Sequence, residues 1–272
     1  MATSRERLSI RATAAITMDV TEPATVALQL AMAGDPPPDE TLEILVRDVP
    51  VDATVLASPV GGRQHLVRVP AGTLRIRYDG TSPGLPVVDR VVTPTERIEA
   101  LRPSRYCPAD RVLGLAAQFA GGHDADATIH AICDYVAART VYTAGASGAS
   151  TDAVETLLTG QGVCRDYAHA VAMLARAAGI PSRIASVYAP GLSPMDMHAV
   201  VEAEIDGVWR VFDATRLAPR HSLARIATGR DAADTAFLTV LDGRADLEQL
   251  EVSAVVAGDL PGDDHHGPVS LP

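Results

Sequence analysis

Apolar and polar positions alternate in short runs over the first third of the chain, at 8–20, 25–32, 42–46, 65–69, 73–78 and 87–92. A period of two belongs to half-buried strands. Turn clusters at Gly34-Asp-Pro-Pro-Pro38, Gly61-Gly62 and Asp79-Gly80 separate the runs, so residues 1–100 are expected to form a β-sandwich-like domain. After a Pro-flanked connection at 102–108 the apolar spacing becomes three and four. That pattern predicts helices over 109–120 and 125–140, and a short capped helix over 151–158. Residues 101–253 are expected to form a second, catalytic unit, and the Gly/Pro/Asp-rich stretch 254–272 reads as a disordered tail.

The densest chemistry lies between 162 and 215. Glycines break structure before Cys164, and then Tyr167, Ala168, Val171, Leu174 and Ala178 recur at helical spacing. Gly179 sits where a left-handed C-terminal residue belongs, and Pro181 stops the helix just beyond it. Cys164 therefore opens the helix, where unpaired N–H groups and the positive end of the dipole favour an anionic sulfur. Residues 198–205 and 208–213 alternate as strands around Asp206-Gly207, a strong two-residue hairpin signal. If Ile205 opposes Val208, His198 faces Thr215 and Val200 faces Asp213. His198 and Asp213 then share one sheet face as diagonal neighbours, about 7–8 Å apart at the backbone. A carboxylate there can hold one imidazole nitrogen while the other serves a thiolate. A one-residue bulge at the turn would put them on opposite faces.

Four blocks carry a family likeness: Gly162-Val-Cys164-Arg-Asp-Tyr-Ala-His169, Gly179-Ile-Pro-Ser-Arg183, Met197-His198-Ala-Val and Trp209-Arg-Val-Phe-Asp213-Ala-Thr215. With them the chain resembles the transglutaminase-like superfamily, whose papain-related core places Cys, His and Asp in this order. The resemblance implies an α+β fold, a papain-like transglutaminase core behind an N-terminal β domain. It also implies thiol chemistry on amide carbonyls through Cys164, His198 and Asp213, by way of a thioester. The leading expectation is a hydrolytic peptidase or amidase acting on a peptide or protein amide. An amine-transferring enzyme with a primary amine acceptor is the alternative, and a non-catalytic scaffold retaining the fold is the alternative of another class. For the oxyanion, the Cys164 amide needs a second donor. Tyr142 is the candidate by analogy with relatives that use an aromatic donor there, and Gln161 competes. Asp166 reads as a first-turn helix acid, His169 as a buried helix residue, and Trp209 as either core or cleft wall. The loop 189–197 precedes His198 and is placed to gate the substrate.

Composition narrows the partners. The 272 residues carry 23 basic and 34 acidic side chains for a net charge of −11, which disfavours nucleic acid and anionic membranes. No run approaches the roughly 20 apolar residues of a membrane helix, and the first seven residues lack the apolar stretch of a signal peptide, so the expected address is cytoplasmic. Three cysteines cannot all pair, and neither a zinc spacing nor a phosphate-binding motif occurs, so no metal or organic cofactor is expected. Cys133 reads as core and Cys107 as part of the connection. His265-His266 reads as a solvated pair. The chain contains no lysine and no asparagine, so it offers no lysine amine as its own acceptor. Oligomeric state is not legible.

Overall fold

The computed structural model describes residues 8–58, 62–84, 89–119 and 124–271. Parts of the expected elements at 1–7, 61, 87–88 and 120 lie outside that set. The N-terminal region supplies β1 (Ile10–Leu28), β2 (Thr41–Val46), β3 (Val49–Pro50), β4 (Thr54–Ala57), β5 (Arg63–Val69) and β6 (Gly72–Ser82). The region after it supplies α1 (Pro94–Ala100), α2 (Leu113–Ala116), α3 (Ala125–Arg139), β7 (Val141–Tyr142), α4 (Ala153–Thr159), β8 (Gln161–Gly162) and α5 (Cys164–Ala177). It continues through β9 (Ser182–Tyr188), β10 (His198–Ile205), β11 (Val208–Phe212), β12 (Ala224–Gly229) and α6 (Ala232–Thr235), and the chain then runs into β13 (Leu238–Val256).

What the alternation presents as two strands, 8–20 and 25–32, is one 19-residue strand. Along β1 the even positions Ile10, Ala12, Ala14, Ile16, Met18 and Val20 are buried, and so are Ala24, Val26 and Leu28. Register shifts against β13 between Thr17 and Val26 mark bulges, which bend a strand. The first half of β1 pairs with β6 and the second half with β5. The seven-stranded sheet thereby curls over a single core drawn from β1, β2, β5 and β6. The strand-rich N-terminal domain and the α+β fold class are as the sequence indicates.

Two differences concern the end of the chain. The core unit expected over 101–253 returns its last strand, β13, to the N-terminal sheet, antiparallel to β1. Most β13 side chains are exposed and charges such as Asp242, Arg244 and Asp246 interrupt the alternation, which hides the strand in the sequence. The stretch 254–272, expected to be disordered, is packed over its described part. Val269 and Leu271 are buried beside Val200 and Val211, and the Val211 N–H donates to Val269 O at 2.8 Å. Asp263 meets the buried Arg220 guanidinium at 2.9 Å. A buried ion pair and two apolar anchors order this segment despite its Gly/Pro content.

The second sheet runs β11-β10-β9-β12, antiparallel throughout. One face receives α5, which is buried on nearly every side from Asp166 to Arg176, with α3 and α4 packed outside it. Its alanines at 168, 170, 172 and 175 leave small knobs that let backbones approach. Between Ala109 and Ala116 a single 3₁₀ turn and the short α2 stand where one longer helix is expected. The two sheets share core: Tyr188 of β9 stacks on Tyr78 of β6 at 5.9 Å and donates its hydroxyl to Leu30 O at 2.8 Å. The second sheet is thus held against the N-terminal sheet by buried contacts.

Candidate active site

Cys164 is the first residue of α5, as its spacing from Gly179 predicts, and Gly179 adopts φ +84° at the other end. The helix start is set by Asp166, whose buried carboxylate accepts the Val163 N–H at 2.8 Å and also meets Arg165 at 3.1 Å. Gly162 makes room for that carboxylate, because a Cβ at 162 would lie 2.7 Å from the Asp166 Cβ. Arg165 in turn donates to Gly148 O at 2.9 Å and Ser147 Oγ at 3.2 Å, tying the loop before α4 to the cysteine.

The hairpin has the expected two-residue turn. Asp206 and Gly207 both take positive φ, at 51° and 77°, as a turn matched to strand twist requires. Ile205 opposes Val208 and Val201 opposes Phe212, with no slip between them. Continued by one pair, this register sets Val200 against Asp213 and brings Asp213 to the face of His198. Their side chains meet: His198 Nε2 lies 2.9 Å from Asp213 Oδ2. The other carboxylate oxygen, Oδ1, accepts the Thr215 N–H at 2.8 Å and the Thr215 hydroxyl at 2.7 Å. Thr215 therefore fixes which oxygen faces the imidazole. The spacing Asp-x-Thr is the sequence signal for such a local turn, and as a support for Asp213 it goes unread in the sequence.

His198 and Asp213 are 1% and 6% exposed, which makes their charges interdependent. Burial pushes the imidazole toward its neutral form. Asp213, by charge and hydrogen bond, and Cys164, by the same two routes, outweigh that and raise the His198 pKa to about 10. Burial likewise disfavours the Asp213 carboxylate, but His198 and the two Thr215 donors hold its pKa below the usual range. With Nε2 on Asp213, the His198 nitrogen left without a formal hydrogen bond is Nδ1, and Cys164 is the neighbour that acts on the ring. The Cys164 sulfur also lies 3.8 Å from Met197 O. Cys107 and Cys133 differ sharply: both are buried, and burial pushes each thiol up to about 12.

Tyr142 is carried to the site by a two-residue parallel pairing of β7 with β8, in which it opposes Gly162. Its hydroxyl lies near enough to Cys164 for the two groups to influence each other's charge. Partial burial and the sulfur's charge lift its pKa to about 12, against the opposing N–H. Gln161, the other oxyanion candidate, is exposed on β8 opposite Val141, and no hydrogen bond joins it to Cys164. His169 is fully buried, stacks on Tyr106 at 5.2 Å, and accepts the Ala232 N–H at 3.0 Å. Desolvation drives its pKa down to about 4, so it is a neutral core residue. Trp209 is buried beneath Arg183, four residues and about 13 Å along β11 from Asp213. It is core rather than cleft wall. The loop 189–197 is anchored through buried Ala189 and Leu192, while Met195 at its tip is exposed. Among the described residues no group of three or more His, Cys, Asp or Glu is placed to hold a metal ion, and His266 packs on His130 at 5.2 Å. No described helix is long and apolar enough to cross a membrane.

The model of the transglutaminase-like superfamily matches residues 114–214, the stretch that holds Cys164, His198 and Asp213. A solved structure of a candidate cysteine protease from Cytophaga hutchinsonii superposes with a TM-score of 0.85 at 30% identity, covering 95% of this chain and 94% of that one. A curated but uncharacterised protein of Mycobacterium leprae is 26% identical over 152 residues, which are 52% of this chain and 53% of that protein. The chain thus spans about half the length of that curated relative. The chain belongs to the transglutaminase-like superfamily.

Proposed function

We propose that the chain is a thiol hydrolase of peptide or protein amides working through Cys164, His198 and Asp213. What supports this most directly is the 2.9 Å contact of His198 Nε2 with Asp213 Oδ2, which leaves Nδ1 to the helix-start cysteine. In the reaction the Cys164 thiolate adds to the amide carbonyl, and the oxyanion takes hydrogen bonds from the Cys164 N–H and the Tyr142 hydroxyl. The His198 imidazolium then protonates the leaving amine as the C–N bond breaks, giving a thioester and a neutral imidazole. Water loses a proton to His198 as it attacks the thioester, and collapse of the second tetrahedral intermediate releases the acid and restores the thiolate. Asp213 holds the ring and balances its charge throughout.

Hydrolysis rather than amine transfer is favoured by what surrounds Cys164. A transferase has to shield its thioester from water at about 55 M, which calls for an apolar, partly closed approach. The chain's single tryptophan lies elsewhere, and Tyr142, Val141 and Met195 are exposed at 44%, 66% and 43%. Turnover of peptide and glutamine amides, with and without millimolar primary amine, tests the proposal. The free acid is expected as the main product in both cases. Predominant amine adduct at low amine would replace hydrolysis by transfer, and no turnover together with an inert Cys164 would leave a scaffold.

A further inference from the structure

Away from Cys164, a cavity of about 60 Å³ opens between α1, β9, β11 and β12, lined in part by Arg90, Glu96, Glu99, Arg183, Trp209 and Arg230. That is several times the roughly 10–15 Å³ that accommodates one water. Two of its lining side chains are buried: Trp209 is 1% and Arg183 7% exposed, with the guanidinium 4.2 Å over the indole ring. Arg183 commits Nε to Glu202 at 2.8 Å and Nη1 to Glu96 at 3.2 Å. Its Nη2 and the Trp209 Nε1 are buried N–H groups with no acceptor among the described residues. Two adjacent donors of this kind are costly to leave unpaired, and they define a place suited to a group with two lone-pair oxygens.

Charge narrows the choice. Arg90, Arg183 and Arg230 line the cavity against Glu96 and Glu99, while Glu202, shared with Arg225, and Asp234 pair with Arg183 and Arg230 from outside it. The surroundings are thus close to neutral, and the two orphan donors, one of them on a cation, set the preference for acceptor oxygens. A carboxylate offers two coplanar acceptor oxygens, one of which can take the charge-assisted bond from the remaining Arg183 nitrogen, Nη2. A phosphate would bring a further negative charge against Glu96 and Glu99. None of these residues takes part in the chemistry at Cys164.

We propose that this cavity is a binding site for a small carboxylate, one oxygen accepting from Arg183 Nη2 and the other from Trp209 Nε1, with Arg90 adding charge at the mouth. Because Trp209 is the only tryptophan, its fluorescence reads the site directly, and turnover at Cys164 plays no part in the readout. The intact protein is titrated with acetate, glycylglycine, glycylglycine amide and inorganic phosphate at constant ionic strength against chloride. Acetate and glycylglycine are expected to give a saturable change that the amide and phosphate do not. By calorimetry, Trp209→Phe keeps the ring under Arg183 but loses a donor, and should weaken acetate about tenfold, the order expected for one charge-assisted hydrogen bond. Arg90→Gln leaves the buried groups in place and should also weaken it. A response to acetate no different from chloride, or amide or phosphate binding as tightly as acetate, would overturn the proposal.

Discussion

Replacing Asp213 by Asn tests the site without changing its size. Thr215 donates two hydrogen bonds to Asp213 Oδ1, so the amide oxygen of Asn must keep that position. The NH₂ group is then turned toward His198 Nε2, which has to accept. A neutral imidazole accepting at Nε2 carries its proton on Nδ1, the nitrogen that must take the thiol proton. The variant also removes the charge that raises His198 to about 10 and leaves burial, which lowers it. The imidazolium that pairs with the thiolate is lost on both counts. Only the anionic sulfur of a cysteine is an effective nucleophile. Alkylation of Cys164 by iodoacetamide at pH 6 should therefore slow by about two orders of magnitude, and turnover by about four, or about 5.4 kcal/mol of barrier, as in comparable triads. Mass spectrometry follows the alkylation without knowledge of the natural substrate. A variant that keeps more than about a tenth of the wild-type rate, a difference under 1.4 kcal/mol, would show that Asp213 does not orient His198.

Three further outcomes are expected. In the wild type at pH 6, iodoacetamide should label Cys164 well before Cys107 and Cys133, whose buried thiols are pushed up to about 12; arginines at 105, 111, 139 and 165 place the three on separate tryptic peptides, so equal labelling would be seen at once. Cys164→Ala should abolish turnover yet shift the thermal midpoint by no more than about 4 °C, since the residue is partly exposed; collapse of the fold would favour a structural cysteine. Because His198 is raised from 6.5 to about 10, its protonated form stabilises the fold fully below pH 6.5, and this contribution is lost as pH rises to about 10. Stability should fall across that window in the wild type but not in His198→Gln, and turnover should decline on the same alkaline limb; equal slopes in the two proteins would contradict the shift.

The meeting of Cys164, His198 and Asp213 is legible because each residue is announced by local chemistry: glycines and a helix period for Cys164, and a two-residue turn whose register ties His198 to Asp213. The ends of α5 and the hairpin pairing follow from the same signals. Less of the remainder was readable, for physical reasons. The strand β13 is exposed and charged, so it lacks the alternation that reports burial, and its partner β1 lies more than two hundred residues earlier. The segment 257–271 looks disordered by composition, but a single buried pair, Arg220 with Asp263, and the anchors Val269 and Leu271 hold it in place. The place of Trp209 in the core is not legible in the sequence because it depends on Arg183, from a strand with no strong pattern of its own, stacked on the indole. The support that Thr215 gives Asp213 goes unread although Asp-x-Thr announces a local turn, because a turn residue acquires meaning only once the oxygen it occupies is known.

The most direct measurement of the central claim is capture of the acyl-enzyme. The protein is mixed with an activated aryl ester in ¹⁸O-labelled water, quenched in acid, digested with trypsin and weighed. The account predicts a burst of aryl alcohol stoichiometric with protein, an acyl mass on the peptide ending at Arg165, and product acid carrying ¹⁸O; absence of that adduct, or acylation of another residue in its place, would contradict it.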